Sequence, residues 1–424
     1  MARITVNTEN KIKKMKPMHG GGQPPVLGNG KNTYFHYLTE AGIPYSRLHD
    51  VGDPYVDIAS VFPNFDADAD DPASYDFVFT DHLLAQLNEA GVEPYYRLGP
   101  TIENAGVRVA PRHIFPPKDY EKWARICEHI IAHYTEGWAN GFTYQITYWE
   151  IWNEPDNNQM WTGTPEEYYR LYDVASKHLK KRFGNKIKVG GFASCGFYAV
   201  NTVNANPFGC TRETELKWVK FFQNFMEYVK EHNSPLDFFS WHSYAPTKQT
   251  VEMDAWVHEQ LLAYGYPDTE LHLNEWCPYQ EKTGTGLQGA EVAGIMVAMQ
   301  KGHEDVLCIY DMRIQNPWYA PFFDCKSCKP HHGYYSAVAF NTLYRLGTEV
   351  ECTSDTDGLY VLAASNGKKN AMMIVNLTGR AQALTFDGID LSDARISAID
   401  DLRLLSWTPH AREIEPNTVY LIEW

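Results

Sequence analysis

Apolar and polar positions along the chain repeat one theme: a short apolar run that ends in a polar cluster, followed by a stretch with helical spacing. Tyr45-Ser46-Arg47-Leu48-His49-Asp50 ends the first clear run, and a helix-like segment over 80–90 leads through Gly91 into Glu93-Pro94-Tyr95-Tyr96-Arg97-Leu98-Gly99. Residues 117–134 carry Trp123, Ile126, His129, Ile130 and His133 at helical spacing, which predicts an amphipathic helix. The stretch that follows, Tyr148-Trp149-Glu150-Ile151-Trp152-Asn153-Glu154-Pro155, reads as a short buried strand ending in a carboxylate on a sharp turn. Helices are expected over 165–183, 213–232, 251–264 and 288–301, each leading into an apolar run: 188–194, 236–244, 270–276 and 306–313. Counting 15–19 as the first strand gives eight strands with mostly helical connections. That alternation predicts a (β/α)8 barrel of the α/β class rather than a doubly wound sheet, with polar strand ends where such a barrel places its active site.

Beyond Tyr334 the pattern changes. A helix over 336–346 would close the barrel, and the runs 358–363, 371–376, 381–386, 403–407 and 418–423 alternate with turns, as in a small β-sandwich. The expected organisation is an N-terminal strand within 1–14, alternating over 2–8 and joining the sandwich, a catalytic barrel over 15–346, and an accessory β-sandwich over 347–424. Gly20-Gly21-Gly22, between a basic entry and Pro24-Pro25, allows close backbone approach. Neither a Walker-type lysine nor a dinucleotide fingerprint follows it, so a tight loop bordering a pocket is expected.

Length and charge narrow the function. A chain of 424 residues accommodates a barrel and a small second domain. With 37 basic against 53 acidic residues the net charge is -16, which repels nucleic acid and anionic membranes, and no basic block offsets it. The first residues lack a signal-peptide pattern and no apolar run approaches a membrane span, so a cytoplasmic protein is expected. Eight scattered cysteines suggest reduced thiols rather than a disulfide framework. Cys325-Lys326-Ser327-Cys328 with His331 and His332 has a zinc-like spacing. A single such pair in a loop is a weak signal, so neither a metal nor another cofactor is expected. The aromatic surplus, with 12 Trp and 27 Tyr, serves cores first and also suits stacking on sugar rings.

Two glutamates carry the chemistry. Glu154 and Glu275 each end an apolar strand, follow an asparagine and sit near tryptophan, in Trp152-Asn153-Glu154-Pro155 and Leu273-Asn274-Glu275-Trp276. A carboxyl group at the end of a buried strand is desolvated, which raises an acid's pKa toward working pH. A pair of such groups is what glycoside cleavage needs: one acid for the leaving oxygen, and a nucleophile or base opposite it.

Together with Tyr45-Ser46-Arg47-Leu48-His49, Ser74-Tyr75-Asp76 through Thr80-Asp81, and the run 239–244, these residues resemble glycoside hydrolase family 39. This is the β-xylosidase and α-L-iduronidase family within the clan of retaining (β/α)8 glycosidases. The resemblance implies that Glu154, after the fourth strand, is the acid/base, that Glu275, after the seventh, is the nucleophile, and that Asn153 bonds the sugar 2-hydroxyl. By the same logic Arg47 and Tyr244 are placed to hydrogen-bond the nucleophile and keep it ionised. His49, His242 and His19 are candidate sugar-hydroxyl partners, with a core histidine as the other reading of each. Of Trp152, Trp241 and Trp276, the last, directly after the nucleophile, is the candidate aromatic wall. Asp311 and Arg313 either line the glycone pocket or form an internal salt bridge.

The activity this implies is that of a retaining exo-glycosidase, of β-xylosidase type first, acting on short oligosaccharides or glycosides. Arabinose, glucose and galactose follow xylose, because Trp241-His242-Ser243-Tyr244 offers no lysine for a uronic acid. The carboxyl groups should then lie about 5–5.5 Å apart. A non-catalytic carbohydrate-binding protein is the rival reading, and such a protein would have lost one of the two carboxylates. A homo-oligomer contact through the C-terminal sandwich is compatible with an enzyme.

Overall fold

The computed structural model describes residues 1–26, 34–51, 56–101, 113–314 and 319–424. After strand β1 (Ala2–Lys14), which belongs to a second sheet, eight parallel strands close into a barrel: β2 (Gly20–Gly22), β3 (Tyr45–Leu48), β4 (Glu93–Leu98), β5 (Tyr148–Ile151), β6 (Lys188–Ser194), β7 (Phe238–Ser243), β8 (Glu270–Trp276) and β9 (Val306–Ile309). Closure is made where β2 pairs with β9, Gly20 against Cys308 and Gly21 against Ile309. The strands are buried almost throughout, as expected of a parallel sheet covered on its outer face, and this is why they read as apolar runs.

The connections carry α1 (Phe35–Ala41), α2 (Ile58–Val61), α3 (Val78–Glu89), α4 (Tyr120–Thr135), α5 (Pro165–Phe183), α6 (Arg212–His232), α7 (Thr247–Tyr264), α8 (Gly286–Lys301) and α9 (His332–Leu346). Local sequence sets several of their ends. Thr164 and Glu167 form a reciprocal capping box ahead of Pro165, while Asp119, Thr211 and Thr285 accept the first free amides of α4, α6 and α8. On α4 the apolar stripe Trp123, Ile126, Ile130 and Ile131 faces the core.

The first strand differs from the expectation. The pocket-side loop predicted at Gly20-Gly21-Gly22 is instead barrel strand β2, and 15–19 is the approach to it. Glycine is demanded by closure. A Cβ on Gly20 would lie 2.5 Å from the Leu307 carbonyl oxygen, and one on Gly21 would lie 2.3 Å from the Met312 sulfur. Three residues without side chains leave no periodicity to read.

The remaining strands are β10 (Thr348–Ser354), β11 (Leu359–Ser365), β12 (Asn370–Asn376), β13 (Gln382–Asp387), β14 (Arg395–Asp400), β15 (Arg403–Trp407), β16 (Glu413–Ile414) and β17 (Thr418–Glu423). They form one mixed sheet in the order β15-β14-β17-β12-β11-β10-β1-β13-β16, which curls around a second core that includes Ile4, Val361, Ile374, Ala398 and Ile422. Strand β1 runs antiparallel to β10, Ile4 opposite Ser354, and parallel to β13, Ala2 opposite Leu384. The alternate residues Leu362, Met373, Val375 and Leu421 belong to the barrel's own core, where the sheet covers α8 and α9. Strand β12 is buried on both faces, which accounts for its unbroken Ala371-Met372-Met373-Ile374-Val375. All eight cysteines are unpaired. Among the described residues, no helix is long and apolar enough to cross a membrane.

Candidate active site

Strand β5 delivers Glu154 through a tight turn in which Trp152 and Glu154 both take left-handed backbone angles, φ 73° and 45°. For residues with side chains that conformation costs energy unless the surroundings enforce it. Here the Trp152 amide donates to the Leu98 carbonyl at 2.8 Å, its indole Nε1 donates to the Met160 carbonyl at 2.8 Å, and the Glu154 amide donates to the carbonyls of Phe192 and Ala193 at 3.2 and 3.0 Å. The neighbouring barrel strands thus hold the carboxylate over the barrel's mouth.

Glu275 approaches from β8. His242, on β7, lies between the two glutamates: its Nδ1 is 2.8 Å from Glu154 Oε1 and 3.6 Å from Glu275 Oε1. One oxygen of each carboxylate and that nitrogen all lie within 4.8 Å of one another. Arg47 is fully buried and joins three partners. It donates to Glu275 Oε2 at 3.1 Å, to Asn153 Oδ1 at 2.5 Å, and to Glu150 Oε2, 2.7 Å from its nearer nitrogen. Tyr244 completes the cradle by donating its hydroxyl to Glu275 Oε1 at 2.6 Å. Asn157 donates to Glu154 Oε2 at 3.2 Å. A cavity of about 570 Å³ opens above these groups, within the usual range for small-ligand sites.

Burial alone would push the His242 imidazole's pKa down, but the charges of Glu275 and Glu154 lift it above its ordinary value, so a proton is favoured there. Burial would raise Glu154, yet the hydrogen bond and charge of His242, with further bonds from Asn157 and Cys195, hold it below the usual carboxylate range. Glu275 is raised, by burial first and then by the charge of Glu154, against the pull of His242, Arg47 and Tyr244. The three groups therefore share their protons. Among the described residues they are also the one cluster of at least three potential metal ligands, but the 2.8 Å between Nδ1 and Oε1 is a hydrogen-bond contact suited to a proton.

The other candidates divide. His49 lines the cavity with Nε2 3.3 Å from Asp50 Oδ2 and Nδ1 unpartnered, and burial with the charges of Arg97 and Arg47 keeps it neutral. Asn153 also lines the cavity; Arg47 occupies its carbonyl oxygen and leaves its amide group as a donor. Two expectations, for His19 and Trp276, are corrected, and of the two readings of Asp311 and Arg313 the internal salt bridge is the one observed. His19 lies away from the cavity, bonded to the Gly42 carbonyl at 3.0 Å and packed on Phe340 and Tyr344, with its pKa pushed down to about 4 by burial. Trp276 is a core residue with no exposed surface, because successive strand side chains alternate and the one after Glu275 faces the helices. Asp311 and Arg313 pair with each other at 2.5 Å, and Arg313 reaches on to the Tyr310 hydroxyl at 3.1 Å. They brace the wall from behind, while Tyr310 is part of it.

The aromatic wall comes from elsewhere. Phe208, Trp218, Tyr310 and Tyr319 line the cavity, and Tyr244 packs against Phe208 and Tyr319 with ring centres 4.9 and 5.6 Å apart. Phe208, Trp218 and Tyr319 carry no local signal, since each sits on a loop or helix beyond the strand ends, whereas Tyr310 lies in the run expected over 306–313, directly after β9. Glu150, the buried counter-ion of Arg47, and Asp156, a carboxyl on the cavity wall, also escaped the sequence reading. A charge inside the run Tyr148-Trp149-Glu150-Ile151 was the available clue to the first.

The chain matches the model of glycosyl hydrolases family 39 over residues 3–271. It is 25% identical over 286 residues to a β-xylosidase of Geobacillus stearothermophilus, covering 60% of this chain and 51% of that one. It is 28% identical over 230 residues to a β-xylosidase of Caldicellulosiruptor saccharolyticus, covering 52% and 40%. The chain thus spans about half the length of the curated relatives it matches. Among solved structures, a glucosidase from Croceicoccus marinus superposes with a TM-score of 0.79 at 21% identity, covering 100% of this chain and 98% of that one. A monomeric β-xylosidase from Caulobacter crescentus superposes at 0.70 and 15%, covering 99% of each. At such identities the structural likeness speaks for the fold.

Proposed function

The chain belongs to glycosyl hydrolases family 39, and on that premise we propose that it is a retaining exo-glycosidase that removes a terminal neutral sugar, xylose first, by double displacement. The observation that carries this is the pairing of Glu154 and Glu275 across His242, with carboxylate oxygens within 4.8 Å. A pair that close suits a nucleophile and an acid; an inverting pair stands roughly 6.5–9.5 Å apart to admit a water. The β-xylosidases among the relatives favour xylose.

In the first step Glu275 attacks the anomeric carbon while Glu154 protonates the departing oxygen, forming a glycosyl ester and releasing the aglycone. Arg47 and Tyr244 stabilise Glu275 as the anion the attack requires. The proton for the leaving group lies in the hydrogen bond between His242 and Glu154, and moves onto Glu154 as that carboxylate meets the glycosidic oxygen. In the second step Glu154 takes a proton from water, whose oxygen replaces Glu275 on the anomeric carbon. Two inversions leave the configuration unchanged.

A panel of nitrophenyl glycosides tests the substrate: the β-xyloside is expected to turn over fastest, and its complete resistance would remove xylose. The role of Glu154 has its own signature. In Glu154→Ala, hydrolysis of substrates with poor leaving groups should fall by about 10²–10⁴-fold, while dinitrophenyl glycosides, whose leaving group needs no proton, still form the glycosyl-enzyme. Added azide should then yield a glycosyl azide of retained configuration. Equal losses for both classes of substrate would refute the assignment.

A further inference from the structure

We propose that the cleft between the barrel's mouth and the accessory sheet is a binding subsite for the departing part of the substrate, a neutral saccharide aglycone whose hydroxyls are read by Glu291, Tyr279 and Tyr360. The proposal rests on the reading of the site as that of an exo-glycosidase and names what the terminal sugar is cleaved from.

An exo-acting site that encloses one terminal sugar must let the rest of the chain leave it. A second cleft, of about 660 Å³, adjoins the catalytic cavity and has a size that suits a small ligand. Tyr244, whose hydroxyl is bonded to Glu275, is a wall of both, and the chain passes from one to the other between Pro207, in the cleft, and Phe208, in the cavity. One side of the cleft comes from the barrel, with Glu291 on α8. The other comes from the accessory sheet, with Asp357 and, on β11, Tyr360.

Glu291 is the one charged residue in the apolar stretch 286–300, and it is 6% exposed. Part of its role is structural. Its Oε2 accepts the Thr247 amide at 2.7 Å and the Thr247 hydroxyl at 2.6 Å, which serves the start of α7, where Pro246 offers no side-chain cap. Its Oε1 accepts no hydrogen bond among the described residues, and an acceptor left over on the wall of a cleft is suited to a ligand's hydroxyl. Two phenols accompany it. Tyr360 faces the barrel from β11 on the same side as Leu362, and Tyr279 holds a left-handed φ of 47°, which a residue with a side chain keeps only where its surroundings enforce it. Burial first, and then the charge of Glu291, raise both phenols, so each stays protonated and able to donate. The remaining charges select the ligand. Glu281 and Asp357 join Glu291 against Lys248 alone among the described residues of the lining, a balance that disfavours uronate or phosphate and leaves a neutral, hydroxyl-rich chain.

The test compares oligosaccharides of the sugar that the nitrophenyl panel selects, xylose first, with the nitrophenyl glycoside itself. In the wild type kcat/KM should rise from the disaccharide to the tetrasaccharide as the chain reaches Glu291. Glu291→Gln leaves a carbonyl for Thr247 but turns the free acceptor into a donor, and kcat/KM for the tetrasaccharide should fall about tenfold relative to the nitrophenyl glycoside. Tyr360→Phe keeps the ring and leaves the start of α7 untouched; the same ratio should fall about threefold. Both losses should appear in KM rather than in kcat, the mark of an interaction made equally in the ground and transition states. A wild-type kcat/KM that does not rise with chain length, or a ratio that both variants leave in place, overturns the proposal, while turnover of the nitrophenyl glycoside keeps the enzyme reading standing. A wild-type protein that turns over no glycoside refutes the enzyme reading, and the proposal falls with it.

Discussion

Replacing Glu275 with alanine is expected to lower kcat/KM for an aryl β-xyloside by at least about 10⁴-fold, roughly 5.5 kcal/mol of lost transition-state stabilisation. The loss should be chemical rather than structural. Arg47 keeps its 2.7 Å contact with Glu150 when Glu275 is removed, so no buried cation is stranded, and the truncation opens into a cavity that already exists. A small anion can enter the vacated space. Azide should therefore rescue turnover by attacking the anomeric carbon directly, and one displacement gives a glycosyl azide of inverted configuration, opposite to that from the Glu154 variant. Proton NMR of the product distinguishes the anomers. Near-normal turnover, or an azide of retained configuration, would show that the nucleophile lies elsewhere.

Arg47→Leu should be the most destabilising single change at the site. The guanidinium is fully buried and serves Glu150, Glu275 and Asn153 together; without it two buried carboxylates lose their cation. Breaking a buried pair from one side typically costs about 3–5 kcal/mol, read here by denaturant unfolding. Glu275 would also take up a proton more readily and fail as a nucleophile at neutral pH. The double variant Arg47→Leu with Glu150→Gln separates the two effects: it should recover part of the stability, since one stranded charge is gone, and none of the activity. If it recovered activity as well, Arg47 would matter only as Glu150's structural partner.

The barrel was legible because its strands are buried on both faces and its helices on one, two patterns that differ in period as well as length. Glu154 and Glu275 stood out for a related reason: a carboxylate closing an apolar run has no cheap structural explanation. Legibility fails where the information is not local. Gly20-Gly21-Gly22 is a strand because of what Leu307 and Met312 leave room for, 287 and more residues away. Trp276 was misread through parity, since adjacency in a strand means opposite faces. Trp218 and Tyr319 come to the cavity from elements whose own patterns say nothing about where they converge. Strands β10 and β14 carry Thr348-Glu349-Val350-Glu351 and Arg395-Ile396-Ser397-Ala398, with too few apolar residues to announce a strand, and they form because partners on both sides are waiting.

Strand β1 sits between β10 and β13, so its neighbours are separated from it by some 350 residues of chain. On a ribosome adding roughly 5–20 residues each second, it emerges about 20–70 s before the strands that will flank it. The whole barrel is translated in that interval. Through it, a strand with Ile4 and Val6 on one face and unsatisfied amides along both edges has no native partner, which is the exposure that recruits chaperones or pairs with another nascent chain on the same message. Yield in a cell should thus respond to translation speed and to holdase supply more than the stability of the finished molecule suggests, and the lysines at the far end of β1, Lys11, Lys13 and Lys14, are placed to keep that waiting strand from aggregating.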